Sequence, residues 1–276
     1  MKNFLLFVPL FFSINCYSQE FLEIDTVIKE FYYDYNFQED STDIASEKYQ
    51  EMVLQLGKHS SKFISANLLY TDSLLYTVRN MKEGFKYVWP KVSKLRVPRF
   101  CEYAIFKNYP DRNMIRFVGT LGGGTTLKVD EKLSMNWVLD IKKDSTIVGY
   151  NCQRARCTFA GRDYIAWYTM EIPISDGPYK FHGLPGLIIR ISDTHNEHVF
   201  QLYRVKNCKQ PKGMLYIDET KTKDTTAVGF AKAMKAYIAD MYKSYGGNPN
   251  IHYSNADGES KTLRNIRSWN NYIERY

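Results

Sequence analysis

The sequence predicts a mainly β protein: a curved antiparallel meander, half-barrel or bowl-like, with one amphipathic helix near its C-terminus. Three observations carry that expectation. Short runs of alternating apolar and polar residues recur between clusters of Gly, Pro, Asn and Asp. Aromatic residues make up 15% of the chain, with 22 tyrosines, a usage suited to packing sheet faces. Late in the chain, residues 225–245 place Phe230, Met234, Tyr237, Ile238 and Met241 at spacings of three and four, which is a helical stripe. With 276 residues the chain fits a single β-rich domain.

The N-terminus, MKNFLLFVPLFFSINCYSQE, has Lys2, an apolar run over residues 4–12 and small polar residues as far as Ser18. This pattern predicts a signal peptide over residues 1–18, leaving Gln19 first. The run is shorter than the ~20 apolar residues of a membrane span, and no transmembrane segment is expected. Lipid attachment at Cys16 is disfavoured by the bulk of Asn15 just before it. The expected location is the periplasm or envelope. The mature chain divides into a domain over residues 19–250 and a basic, aromatic tail over 251–276. A net charge of +7 is mild and suits a solvated surface, while tolerating contact with anionic lipid or glycan.

In chain order, residues 21–36 read as a first strand or arm, followed by a polar loop. Residues 49–57 alternate as a strand, and 60–76 read as two more short strands around Thr71-Asp72-Ser73. Residues 82–100 are basic and broken by Pro90 and Pro98, as in a connection or an edge. Two strands, 100–107 and 113–120, flank a turn at Asn108-Tyr109-Pro110-Asp111. The glycine-rich run 119–126 lacks the Lys-Ser/Thr pair of a phosphate loop and reads as a flexible turn. Residues 137–141 and 145–154 form a pair with Lys142, Lys143 and Asp144 at the turn. Next come 157–162 and 164–172, where Ile165, Trp167 and Thr169 share a face.

Turn signals then cluster at Gly177-Pro178 and Leu184-Pro185-Gly186-Leu187. The second predicts a type II turn, with proline presetting φ and Gly186 accepting positive φ. Beyond it, Leu187, Ile189 and Ile191 fall on one side of a strand, and Ile188, Arg190 and Ser192 on the other. Residues 187–192 and 198–205 read as a hairpin across 193–197. The helix at 225–245 is ended by Gly246-Gly247-Asn248-Pro249.

Candidate chemistry is sparse. Cys101, Cys152, Cys157 and Cys208 are an even set, which in an exported protein suggests one or two disulfides, with three full pairings open. Cys152 and Cys157 are five apart and point to opposite faces of an uninterrupted strand. No CxxC pair or matching His spacing accompanies them, so neither metal nor cofactor is expected. His195, Glu197 and His198 lie in a hairpin turn without the helical HExxH pattern. His182 could act as base toward Cys157 or Cys208 as nucleophile. Arg154, Arg156 and Arg162 with Tyr164 and Trp167 suit either a pocket for carboxylate or phosphate or, preferably, stacking along the sheet. Together with Tyr179 and His182, residues Arg154, Arg162, Tyr164 and Trp167 form the candidate ligand-binding set, and Gly177, Pro178, Pro185 and Gly186 the structural turns. No pair can be picked from Glu171, Asp176 and Asp193 for glycoside cleavage. The tail interleaves Lys261, Arg264, Arg267 and Arg275 with Trp269, Tyr272 and Tyr276. Export argues against nucleic acid as its partner, and a partly ordered tail is expected.

Several pieces resemble the GLPGLI family of Bacteroidetes: GYNCQRA from Gly149, Gly161-Arg162, AWYT from Ala166, EIPI from Glu171, GPYKF from Gly177 and GLPGLI itself from Gly183. Ser61-Lys62-Phe63 after Met52-Val53-Leu54, and Trp137, fit as well. The resemblance spans residues 49–205. It implies an exported, β-rich periplasmic protein associated with outer-membrane uptake, with no enzymatic role to carry over. The curved meander is also similar to the half-barrel of periplasmic lipoprotein carriers, an analogy of fold alone.

Three functions are therefore weighed. The first is a non-catalytic envelope protein binding a peptide, a lipid or an outer-membrane or periplasmic protein on a concave aromatic sheet face. The second is an envelope hydrolase or thiol-dependent enzyme using His182 and a cysteine. The third is a structural adaptor of an outer-membrane uptake system.

Overall fold

The computed structural model describes residues 21–78, 81–94, 101–121, 125–217, 222–246 and 270–275. The expected signal peptide, Pro98, the glycines at 122–124 and most of the basic tail lie outside the described residues. Strands dominate: β1 (Phe21–Gln38), β2 (Glu47–Leu56), β3 (Ser61–Ser65), β4 (Tyr103–Lys107), β5 (Ile115–Leu121), β6 (Thr125–Glu131), β7 (Val138–Ile147), β8 (Tyr150–Phe159), β9 (Arg162–Thr169), β10 (Leu187–Asp193), β11 (His198–Ile217) and β12 (Thr222–Asp224). The helices are α1 (Ala66–Val78), α2 (Met81–Lys94) and α3 (Ala227–Gly246).

Among the described residues the twelve strands belong to one sheet, ordered β12-β6-β5-β4-β3-β2-β1-β11-β10-β9-β8-β7. Two meanders, β2–β6 and β7–β11, thus flank β1, which pairs with both β2 and β11. Antiparallel pairing holds throughout except at β12, which lies parallel to β6. The connectivity forces curvature. Strands β6 and β7 stand ten positions apart in the sheet, roughly 48 Å at a spacing of ~4.8 Å. Only the stretch from Glu131 to Val138 joins them, and extended chain of that length reaches at most about 25 Å. The sheet must therefore curl toward itself, and the open curved sheet expected from the sequence is the observed one.

Strand alternation gives the curl an apolar inside. Phe31, Tyr33 and Tyr35 of β1, Met52 and Leu54 of β2, Phe63 of β3, Ile105 of β4 and Phe200 and Leu202 of β11 are buried in one cluster. Tyr35 stacks on Phe200 at 4.0 Å between centroids and on Phe37 at 4.7 Å. On the outside, the far end of the β1–β11 ribbon bends across the sheet, with three register shifts along it. There Tyr216 meets Phe106 and Tyr109 edge-on or tilted.

Local readings that failed did so for visible reasons. The second short strand expected within 60–76 is α1: Ser65 accepts the Leu68 N–H at 3.3 Å, capping a helix, and Asp72 is tied to buried Lys62 at 3.5 Å. The basic connection at 82–100 contains α2, which continues through Pro90. Lys142, Lys143 and Asp144 are not a turn. They sit in a bulge of β7, between the pairings of Asp140 with Arg154 and Asp144 with Gln153. The hairpin turns instead at Val148 and Gly149, with φ of 52° and 82°, the left-handed pair of a type I′ turn. Ala160 and Gly161, at 44° and 77°, repeat the device between β8 and β9.

Gly186 is not among the positive-φ glycines, so the type II turn is a misreading. The glycine is required by space: a Cβ there would lie 2.0 Å from the Thr169 carbonyl oxygen. Gly177 is constrained in the same way, by Ile188. A register shift between Ile188 and Arg190 also breaks the expected alternation, so Leu187, Ile188, Ile189 and Ile191 are all buried.

Candidate ligand-binding cavity

Part of the curled sheet is filled by its own chain. Between β9 and β10 the segment 170–186 turns inward, and Asp176, Tyr179, Lys180, Phe181 and Leu184 are buried. Phe181 packs edge-on against Tyr164 and Phe159. Lys107, from β4, anchors this plug. Its ammonium pairs with Asp176 and donates to the carbonyls of Gly177 at 2.5 Å and Phe181 at 3.2 Å. Ser61 donates to the other Asp176 oxygen at 2.5 Å. Tyr33 donates to the Ile188 carbonyl at 2.8 Å, and Trp137 to that of His182 at 2.8 Å. Burial lowers the Lys107 pKa against the pull of Asp176, yet the partners are complete. A buried, fully paired charge of this kind is a strut.

Beside the plug lies an unfilled space of about 560 Å³, within the usual range of small-molecule sites. Its floor is Tyr103, Phe117 and Val129 of β4–β6, and α3 forms a wall with Phe230, Met234, Tyr237 and Ile238. Tyr179 and Lys180 of the plug and the C-terminal residues Asn271, Tyr272, Ile273 and Glu274 complete it. The helix is placed by Thr226, whose hydroxyl accepts the Gly229 N–H at 3.0 Å, and by Phe230, which meets Phe117 edge-on at 4.8 Å over Gly119. Of the apolar stripe read from the sequence, Phe230, Met234, Tyr237 and Ile238 thus form the cavity wall and are only half-buried.

At the base, buried Lys180 pairs with Glu131 at 2.5 Å and Glu274 at 2.7 Å. Tyr179 donates to the same Glu274 oxygen, Oε1, at 2.9 Å. Burial first, then the Glu274 charge, raise the Tyr179 pKa well above its ordinary value, which keeps that phenol a donor.

The predicted ligand set divides across the sheet. Arg162 and Tyr164 face inward, paired with Phe159 and Cys157, whereas Trp167 pairs with Arg154 on the outer face. Arg154 there binds Asp140, and the row continues through Trp167 to Arg190 and Gln201. The stacking reading fits Arg154. Arg162 is equally occupied: Nε and Nη2 donate to the Tyr272 carbonyl, Nη2 also to Asn271, and Nη1 to Asp193 at 2.9 Å and Glu197 at 2.6 Å. All five of its donors are used. With Tyr164, which donates to the Ile273 carbonyl at 3.0 Å, it clasps the C-terminal residues onto the sheet. Of the predicted set, Tyr179 alone lines the cavity.

His182 bonds the Lys180 carbonyl through Nδ1 at 2.9 Å, and burial lowers its pKa. His195 is exposed beside Thr194, whereas buried His198 meets the Tyr35 hydroxyl at 2.8 Å, so the two do not converge. The expected disulfides are absent: Cys101, Cys152, Cys157 and Cys208 are all free thiols. A bridge needs Cα atoms within about 7 Å. Cys208 lies on β11, three strands from β8, roughly 14 Å, and Cys152 and Cys157 stay separate thiols although both are buried in the core cluster. Burial pushes the thiols of Cys101 and Cys157 up to about 12 and that of Cys152 to about 11. No described helix is long and apolar enough to cross a membrane.

The plug coincides with the part of the chain that matches a family. The model described as "Protein of unknown function (Porph_ging)" matches residues 158–190, from β8 to β10. None of the curated proteins matches the chain. Among solved structures, two crystal structures of PNGF-II are similar, each 13% identical and covering 76% of this chain, with TM-scores of 0.49 and 0.48. They are matched over 34% and 33% of their own length, so this chain spans about a third of them.

Proposed function

We propose that this chain is a GLPGLI-type protein of Bacteroidetes, exported to the periplasm or envelope, that binds a small apolar ligand without transforming it. The single observation that carries the reading is the aromatic-walled cavity of about 560 Å³ under α3. An amphipathic helix normally buries its stripe against side chains. Here that stripe faces open space. The family match at residues 158–190 falls on the plug, which supports a scaffolding role for the GLPGLI segment and leaves ligand contact to α3 and the C-terminal residues. The ligand's place thus moves from the whole concave face, much of which the chain fills itself, to the part it leaves unfilled. A thiol-dependent reaction has less support, since the buried thiols are held far from the thiolate state that such chemistry needs.

Native mass spectrometry of the mature protein, isolated gently from its own envelope, tests the proposal. A retained small apolar molecule that is lost on Met234→Trp is the expected result. A bare chain that also fails to take up apolar probes would count against the cavity and favour the adaptor role.

A further inference from the structure

We infer that the cavity selects an organic cation: an apolar body bearing a single amine or ammonium group. The inference rests on the cavity reading above and adds the charge of its occupant. The chain as a whole is basic, at +7, yet the cavity is not. Among the described residues, Glu39, Glu102 and Glu274 line it, and Glu131 reaches its lysine, against Lys180 and Lys235. Glu39 is met by Lys48 at 3.4 Å, which still leaves an excess of carboxylate.

The deepest part of the site states the imbalance most clearly. One ammonium, Lys180, is shared by two carboxylates, Glu131 and Glu274, so the cluster carries one negative charge beyond neutrality. Both contacts to Glu274, from Lys180 and from Tyr179, fall on Oε1. The other oxygen, Oε2, has no partner among the described residues, although the side chain is only 13% exposed. That oxygen is open to a donor or a cation entering from the cavity, and a charge-assisted contact to a carboxylate is the stronger kind.

Above it runs a chain of rings. Tyr179 meets Tyr103 edge-on at 5.8 Å, Tyr103 stacks on Phe117 at 5.4 Å, and Phe117 meets Phe230 edge-on at 4.8 Å. Ring faces attract ammonium groups. Lys180 itself uses that attraction, with its ammonium 5.4 Å from the Phe117 centroid. A cation bound against Glu274 would meet both sources of negative potential, while its apolar body lay along Phe230, Met234 and Ile238 of α3. At water's share of about 30 Å³ per heavy atom, the space holds a molecule of roughly 15–20 such atoms.

The test compares three probes of equal chain length, each below its micelle or solubility limit: dodecyltrimethylammonium, dodecan-1-ol and dodecyl sulfate. Affinities are measured by calorimetric titration of the full mature protein and of Glu274→Gln. The glutamine keeps an acceptor for Tyr179 and leaves Lys180 neutralised by Glu131. We expect the cation to bind at least about tenfold more tightly than the neutral probe and the anion most weakly, with Glu274→Gln erasing the cation's advantage and sparing the neutral probe. Equal binding of all three, or preference for the sulfate, overturns the charge selection while leaving the cavity reading in place. No binding of any probe overturns both. Should Glu274→Gln fold poorly, the ranking of head groups on the natural chain decides the matter alone.

Discussion

The two halves of the concave interior have opposite characters. In the plug, around Asp176 and Phe181, every charged group is met by the chain: Lys107 by Asp176 and two carbonyls, Asp176 also by Ser61. Under α3 the rings stand around empty space, and Glu274 keeps one oxygen uncommitted. Complete pairing marks a region that stabilises the fold by itself. Incomplete pairing around a cavity is what the proposed ligand would complete.

Substitutions can break this contrast. The largest effects belong to the plug. Lys107→Met, which strands a buried carboxylate, is expected to cost about 3–5 kcal/mol, and Phe181→Ala a similar amount. Met234→Ala, bordering open space, should cost no more than about 1–2 kcal/mol. Urea denaturation measures all three, and equal losses would erase the distinction. Next comes Gly186→Ala: a methyl group would press on the Thr169 carbonyl, an overpacking cost of about 1–3 kcal/mol. Gly149→Ala serves as its control. Its φ of 82° is strained but the space is open, so about 1 kcal/mol is expected. A larger loss at Gly149 than at Gly186 would restore the turn explanation.

The clasp of the C-terminal residues should be acid-sensitive. Burial, with Arg162 and Arg275 nearby, lowers His198 from 6.5 to about 3. Because the unfolded chain takes up that proton first, stability is full above pH 6.5 and falls as pH drops toward the folded value. Between pH 6.5 and 5 the loss approaches about 2 kcal/mol. Thermal melts of the natural chain and of His198→Gln check it: the variant should lose part of this slope. Glu197 has the same sense. Burial raises its pKa, but Arg162 and Arg275 outweigh that and lower it below 4.5, so its contribution fades only in stronger acid.

Strands with one buried face, such as β9 and the second half of β8, were legible because burial on one face imposes a period of two. The helix α3 was legible for the corresponding reason at three and four. Less legible were α1 and α2, since Leu68, Leu69 and Leu75 alternate with nothing, and one cap at Ser65 together with the tie from Asp72 to Lys62 decides the conformation. The candidate site was read only in part. Tyr179 and the stripe of α3 were recognised, but Arg162 looked like an anion site because its partners, Asn271 and Tyr272, lie more than a hundred residues away in sequence. Lys180, Glu131 and Glu274 carried no signal at all, because each comes from a different part of the chain.

The sequence by itself determined the β architecture, the late amphipathic helix and the punctuated stretch around Gly186, since all three are written in local periodicity and turn chemistry. Only the tertiary structure decided that Gly186 is there for closeness, that the four cysteines stay apart, and that one part of the interior is sealed while its neighbour stays open. Those outcomes depend on which distant strands the curl brings face to face, and no local pattern encodes that distance.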